Sequence, residues 1–409
     1  MPADQSGIDP SGIDVARERA DTPGCSDVVH LNNAGAALPS RAVLDTVIEH
    51  LELEARVGGY MAGDLVAERS AAVYDAVARL LGAAPEEIAL VESATRAWDM
   101  ACYSLASTFR PGDRILTCAS EYASNVIAFL QLAQRHEIEV VFVPDDDSGQ
   151  LDVAALRGLV DDRTRLIAMS WIPTQGGLVN PAAAVGAVAR DAGVPYLLDA
   201  CQAAGQLPID VDALGCDFLS ATGRKYLRAP RGTGFLYVRR PWIERLDPPF
   251  ADVHAAQWAS GDRIVLRDDA RRFESWERSV ANQLGLGAAI DHALDLGVDA
   301  IAGRVLGLGA SLRERLRTVP GLTLRDRGAQ QCGIVTFTLD GVDPYPCAAW
   351  MREQHVNISV STIDFARRDF EQRGLTAVLR ASVHYYNTDE ELDRLLDRLL
   401  EFLSETPRA

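Results

Sequence analysis

Lys225 is the one lysine in a chain of 409 residues; the other 39 of its 40 basic residues are arginine. Arginine keeps its proton in any protein setting, whereas a lysine amine can be tuned to lose one. A chain that carries nearly all its positive charge on arginine has kept lysine at a single place. A neutral, nucleophilic amine able to form a Schiff base with a carbonyl is the simplest chemistry that needs such a residue. The count alone fits compositional drift in an Ala- and Arg-rich proteome equally well, so the neighbours of Lys225 have to decide.

Four segments with reactive or polar residues follow short apolar runs, and in open α/β sheets ligands bind beyond the carboxyl ends of strands. The first is Tyr196-Leu-Leu-Asp199-Ala-Cys-Gln202. An aspartate closing an apolar strand needs something positive to meet it, and the protonated ring nitrogen of pyridoxal phosphate (PLP) would do so, keeping the ring an electron sink. Gln202 would reach the ring oxygen. A helix-capping aspartate is the plain alternative. The second is Ser220-Ala-Thr222-Gly-Arg224-Lys225. Thr222 and Arg224 suit a phosphate, and Arg224 would hold the amine neutral by like-charge repulsion. The third is Glu92-Ser93-Ala94-Thr95, where a helix start offers free N–H groups to an anion, as every helix start does. The fourth is Glu121-Tyr122, in which Tyr122 would stack on a flat ring or simply be half-buried.

The elements that must position these residues are legible as apolar runs: Ile88–Val91, Arg114–Thr117, Val140–Val143, Leu166–Met169, Tyr196–Leu198, Phe218–Leu219 and Gly234–Val238. They alternate with helical patterns between about 40 and 275, which predicts a mostly parallel sheet covered on both faces. A helix-rich stretch over 279–317 follows. Gly333–Leu339, Asn357–Val360 and Ala377–Val383 then read as strands of a smaller α+β lobe. Thr388-Asp-Glu-Glu391 is a capping box for a last helix whose Leu392, Leu395, Leu396, Leu399 and Leu400 are expected in the core.

Composition sets the outer bounds. A net charge of −18 argues against nucleic acid or an anionic membrane surface as partner. No apolar run is long enough to span a bilayer. The N-terminus lacks the apolar region of a secretory signal. Seven cysteines lie scattered without CxxC pairs and the histidines form no ligand cluster. A cytoplasmic protein with no structural metal is the expectation.

Asp199-Ala-Cys-Gln202, the Thr222-Gly-Arg-Lys225 loop and Ala229-Pro-Arg-Gly-Thr-Gly-Phe-Leu-Tyr-Val238 together resemble the class V aminotransferases. These are fold-type I PLP enzymes and include cysteine desulfurases, isopenicillin N epimerase-like proteins and C–S lyases. The resemblance runs from Leu31-Asn-Asn-Ala-Gly35 to Leu379-Arg-Ala-Ser-Val-His-Tyr-Tyr-Asn-Thr388. It implies an α/β large domain with a seven-stranded sheet over 28–278, a linking helix and small domain over 279–409, and a 1–27 arm packing with the small domain. It also implies a homodimer with the site at its interface. By that similarity Lys225 carries the Schiff base, Asp199 pairs the ring nitrogen and Gln202 contacts the ring oxygen. Ala94, Thr95, Thr222 and Arg224 bind the phosphate, and Tyr122 covers the ring. Thr174 lies near the ring oxygen and substrate, Arg380 holds the substrate carboxylate, and Asn33 also lies on the substrate side.

The chain departs from the desulfurase pattern in three places. The loop Val360-Ser-Thr-Ile-Asp-Phe-Ala-Arg-Arg-Asp369, where desulfurases carry their nucleophile, has no cysteine, and Cys347 lies before it. Arg224 and Tyr122 stand where desulfurases have histidines. Trp276-Glu277 replaces a Gly-Thr that reaches the partner's phosphate, leaving Arg271, Arg272 or Arg278 as substitutes. Asp364, Arg367, Arg368 and Asp369 read either as recognition residues at the substrate mouth or as a solvated loop. On this basis the expected activity is a C–S β-lyase acting on an S-substituted cysteine or its sulfoxide, in secondary metabolism. Aminotransferase and amino-acid epimerase are the alternatives, and a persulfide-forming desulfurase is disfavoured.

Overall fold

The computed structural model describes residues 11–405. After a two-residue strand β1 (Val29–His30), the seven apolar runs form one sheet: β2 (Ile88–Val91), β3 (Arg114–Cys118), β4 (Glu139–Val143), β5 (Thr164–Ser170), β6 (Tyr196–Asp199), β7 (Phe218–Thr222) and β8 (Gly234–Val238). Their order across the sheet is β2-β8-β7-β6-β5-β3-β4. β8 runs antiparallel to both its neighbours and the other pairings are parallel. β2, β6, β7 and β8 are buried along their whole length, as strands covered by helices on both faces must be. Because β2, β3, β5, β6 and β7 point the same way, their carboxyl ends open on one edge. Glycine allows one close approach there: a Cβ on Gly234 would lie 2.7 Å from Ala221 O and 2.8 Å from Ser93 C.

β9 (Ala256–Ser260) and β10 (Arg263–Leu266) form an exposed antiparallel hairpin that alternation does not reveal, since most of its side chains face outward. The helix-rich stretch is two helices, Val280–Leu296 and Val298–Leu316, parted by Gly297 at φ 85°. β11 (Leu322–Leu324), β12 (Ile334–Leu339), β14 (Ser359–Thr362) and β15 (Ala377–Ser382) make a second, antiparallel sheet in the order β11-β12-β15-β14. Between them β13 (Val356–Asn357) pairs in parallel with β1. The fold is thus α/β of type I, with a smaller antiparallel sheet alongside.

The last helix, Asp389–Glu405, begins at the predicted capping box: Glu391 N and Thr388 Oγ1 are 3.3 Å apart, as are Thr388 N and Glu391 Oε2. Leu392, Leu395 and Leu399 are buried, but Leu400 is 45 % exposed, a correction to the five-leucine core. An apolar arc that wide turns partly back to solvent on a 3.6-residue helix. Arg19, in the short helix Val15–Ala20, donates to Tyr386 O at 2.9 Å and pairs with Glu391 at 2.8 Å. Residues 1–10 of the expected arm lie outside the described residues.

Candidate active site

The carboxyl ends of β2, β5, β6 and β7 surround a cavity of about 170 Å³. Ala94, Thr95, Tyr122, Thr174, Asp199, Gln202, Thr222, Arg224 and Lys225 all line it, with Asn125, Ser170, Ile172 and Cys201 between them. A wider groove of about 660 Å³ opens on the outer side of helix Ala94–Ser104, but it holds no lysine and its Arg96 lies on the Phe250 ring. The chemistry is concentrated in the smaller cavity.

Each wall has a local cause. Ser93 caps helix Ala94–Ser104 through its hydroxyl to Arg96 N (3.2 Å), so the N–H groups of the first turn face the cavity edge. Thr222 ends β7 and donates to Thr233 O at 3.1 Å. Arg224 donates to Gly35 O, tying the lysine loop to the Asn32–Gly35 turn. Lys225 lines the cavity together with Cys201, whose thiol is pushed up by burial, with the Lys225 side chain partly offsetting the push. Tyr122 is half-buried and stacks in parallel on Phe365 at 6.4 Å.

Asp199 is 7 % exposed. Its Oδ1 accepts from Cys201 N (2.7 Å) and its Oδ2 from Asn125 Nδ2 (2.9 Å), with no ion pair among the described residues. Burial raises its carboxyl above the usual range, against the pull of those two donors and of Lys225. Gln202 donates to Ala34 O (3.1 Å) and Thr174 Oγ1 (3.3 Å), and its Oε1 is buried without a partner. A buried, uncompensated carboxylate facing a lysine across a cleft is the donor set that a planar cationic ring with an aldehyde fits.

Arg380 stands behind Thr174 rather than on the cavity wall. Its Nη1 donates to Thr174 O (2.9 Å) and Oγ1 (2.7 Å), its Nη2 to Asn32 Oδ1 (3.2 Å) and its Nε to Ser359 Oγ (3.2 Å). It is 8 % exposed with no acidic partner among the described residues, and burial pushes it down to about 10. Such a guanidinium is still charged at neutral pH, and those acceptors are all neutral. Asn33 does not reach the cavity. It is fully buried, donating to Ser382 O (2.7 Å) and accepting from Tyr386. Its neighbour Asn32 is the one that meets Arg380.

The rim loop turns its charges elsewhere. Arg367 pairs with Asp364 (3.6 Å) and Glu371 (3.3 Å) in solvent, and Arg368 lies over the Phe142 ring. Asp369 is buried, pairs with Arg373 (3.0 Å) and Arg327 (3.7 Å), and accepts from Gln175 Nε2 at 3.5 Å. None of the four lines the cavity. Of the arginines near Trp276, Arg272 is turned inward to Arg267 O and Ile243 O, and Arg271 lies on Tyr74, whereas Arg278 is exposed. The sequence pattern names Glu121 only as the neighbour of Tyr122 and passes over Ser170, although each stands at or just past the end of an apolar strand.

A sheet of this order with a lysine and an aspartate at adjacent strand ends defines a PLP-dependent enzyme of fold type I, and its cofactor is pyridoxal 5'-phosphate. The chain belongs to the aminotransferase class-V family, whose sequence pattern matches residues 29–395. It is 30 % identical over 406 residues to a probable cysteine desulfurase of Xylella fastidiosa, covering 97 % of each chain. It is 32 % identical to a cysteine desulfurase of Pectobacterium atrosepticum, covering 93 % of this chain and 96 % of that one. In fold it is similar to the apo cysteine desulfurase of Thermococcus onnurineus (TM-score 0.90, 24 % identity, 96 % and 98 % covered). A cystine C–S lyase bound to cysteine persulfide is less similar (TM-score 0.83, 22 % identity, 93 % and 99 % covered).

These relatives overturn the expectation of a C–S β-lyase that set the desulfurases aside. Full-length likeness at about 30 % identity is to proteins named cysteine desulfurase. No helix among the described residues is long and apolar enough to cross a membrane.

Proposed function

We propose that this cleft binds PLP through Lys225 and acts on a sulfur-bearing α-amino acid of the cysteine class. The observation that carries the reading is the pair of buried, uncompensated charges at the site: Asp199 on the floor and Arg380 behind Thr174. Asp199 would pair the ring nitrogen and Gln202 the ring oxygen. Ala94, Thr95, Thr222 and Arg224 would hold the phosphate, and Tyr122 would cover the ring. Arg380 would take the substrate carboxylate in a bidentate pair. Bound PLP supplies the electron sink for a carbanion at the α-carbon. Lys225, freed as an amine, would move the α-proton.

The names of the relatives point to sulfur removal from cysteine. No thiol stands on the 360–369 loop to receive the sulfur, so the acceptor would come from solution. Holoenzyme given L-cysteine and excess dithiothreitol is expected to form alanine and sulfide in equal amounts while the dithiol is oxidised. Absence of alanine over a range of cysteine concentrations would sink the sulfur-removal reading.

A second reading, amino-group transfer to a keto acid, is favoured by that same loop, which presents Phe365 to Tyr122 in place of a nucleophile. A strict requirement for a keto-acid acceptor would select it. We further propose a large cofactor-binding domain over 28–278 and a linking helix with a small domain over 279–409, in a cytoplasmic homodimer. Tyr60, Met61, Leu65, Val253, Trp258 and Trp276 are exposed apolar side chains that a second copy would cover. Sedimentation at one chain per particle would exclude the dimer.

A further inference from the structure

A second carboxylate lies behind Asp199. Glu121 is 2 % exposed and sits between the end of β3 and helix Ala123–His136. Its Oε1 accepts from Tyr122 N (2.8 Å), Asn125 Nδ2 (2.8 Å) and the Ser170 hydroxyl. Its Oε2 accepts from Ser170 N (2.8 Å) and Thr117 Oγ1 (3.2 Å). The Asn125 amide, itself 2 % exposed, also donates to Asp199 Oδ2 at 2.9 Å. One primary amide therefore spends both its hydrogens bridging two buried carboxylates. Glu121 forms no ion pair with an arginine, lysine or histidine among the described residues.

Burying two carboxylates a single amide apart is costly unless each is hydrogen-bonded and a cation faces them. Burial and the Asp199 charge both push the Glu121 carboxyl up, whereas the donors on its two oxygens favour its ionised form. A tie between β3 and β5 alone does not require this charge. We infer that Glu121 is a positioning residue for the cofactor: through Asn125 it aims Asp199 Oδ2 at the ring nitrogen and sets a second negative charge behind it. The pair then holds the ring nitrogen protonated. With both amide hydrogens committed, Asn125 cannot rotate, and Asp199 is pinned by Asn125 on one oxygen and Cys201 N on the other.

The inference rests on the assignment of Asp199 to the ring nitrogen, and the test separates the two. PLP and its 1-deaza analogue, which has carbon in place of the ring nitrogen, are titrated into the apo form of the full chain by fluorescence. For the parent chain the ratio of the two Kd values should favour PLP. Glu121→Gln keeps the shape and removes the charge, and should cut that ratio by about tenfold with little change in Kd for the analogue. Asn125→Ala breaks the bridge but spares the other Glu121 donors; it should cut the ratio in the same direction and decides the matter if Glu121→Gln does not fold. Equal loss of affinity for both ligands, or no loss for either, would reduce Glu121 to a structural tie and overturn the inference. If Asp199→Asn leaves the ratio unchanged, it is the Asp199 assignment that fails.

Discussion

The floor of the cleft and its rim use the same residue types in opposite ways. At the floor and just behind it Asp199, Glu121 and Arg380 are buried, and among the described residues none is paired with an opposite charge. On the rim Asp364, Arg367 and Glu371 pair with one another in solvent, and Asp369 is held between Arg373 and Arg327. A buried charge without a partner costs free energy that a ligand's charge can offset, whereas an exposed pair gains little from anything further. The floor is thus built for a cofactor and a carboxylate. The rim closes on itself and leaves Phe365 as its contribution to the Tyr122 side of the cleft.

The sharpest test of that contrast is Lys225→Ala. With no amine to move the proton, turnover should fall by on the order of 10³-fold or more. Borohydride should no longer fix the cofactor to the chain. Retention of a large part of the activity, read by product formation on the PLP-loaded variant, would break the floor assignment. Arg380→Ala comes next: KM for the amino acid should rise about 100-fold with kcat changed far less, since the lost pair is two charge-assisted hydrogen bonds. An unchanged KM removes its carboxylate role.

Protonation offers a finer test. The Asp199 carboxyl is raised by burial, so ionising it costs more in the folded apo protein than in the unfolded chain. The stability it contributes is full at low pH and is lost as pH rises through the folded value. A ring cation beside it reverses that penalty. The gain in Tm on adding PLP should therefore be larger at neutral than at acid pH, and Asp199→Asn should flatten the difference. Smallest of all is Arg367→Ala on the rim, expected to change stability by no more than about 0.5 kcal/mol and to leave KM within about twofold. A tenfold rise in KM would show that the rim does read the substrate.

Much of this was legible in the chain. All seven apolar runs of the large sheet are strands, and the capping box at Thr388 starts the last helix where predicted. Four features were not legible, and each has a physical cause. The β9–β10 hairpin is mostly exposed, so burial leaves no alternation to read. Leu400 lies past the edge of the buried arc of its helix. Asn33 and Asn32 differ by one position, and only the turn decides that Asn32 meets Arg380. Glu121 and Asp199 lie far apart in sequence and meet only because β3, β5 and β6 are consecutive in the sheet.

By itself the sequence determined the residue types at the strand ends, the solitary amine among them, and with those the cofactor. These are local facts: an apolar run, what closes it, and what the following loop carries. The tertiary structure alone decided which buried charges lack a partner, that Asn125 joins two carboxylates, and that the rim charges are spent on each other. Those outcomes depend on strand order and side-chain direction, which bring together residues that no local pattern connects.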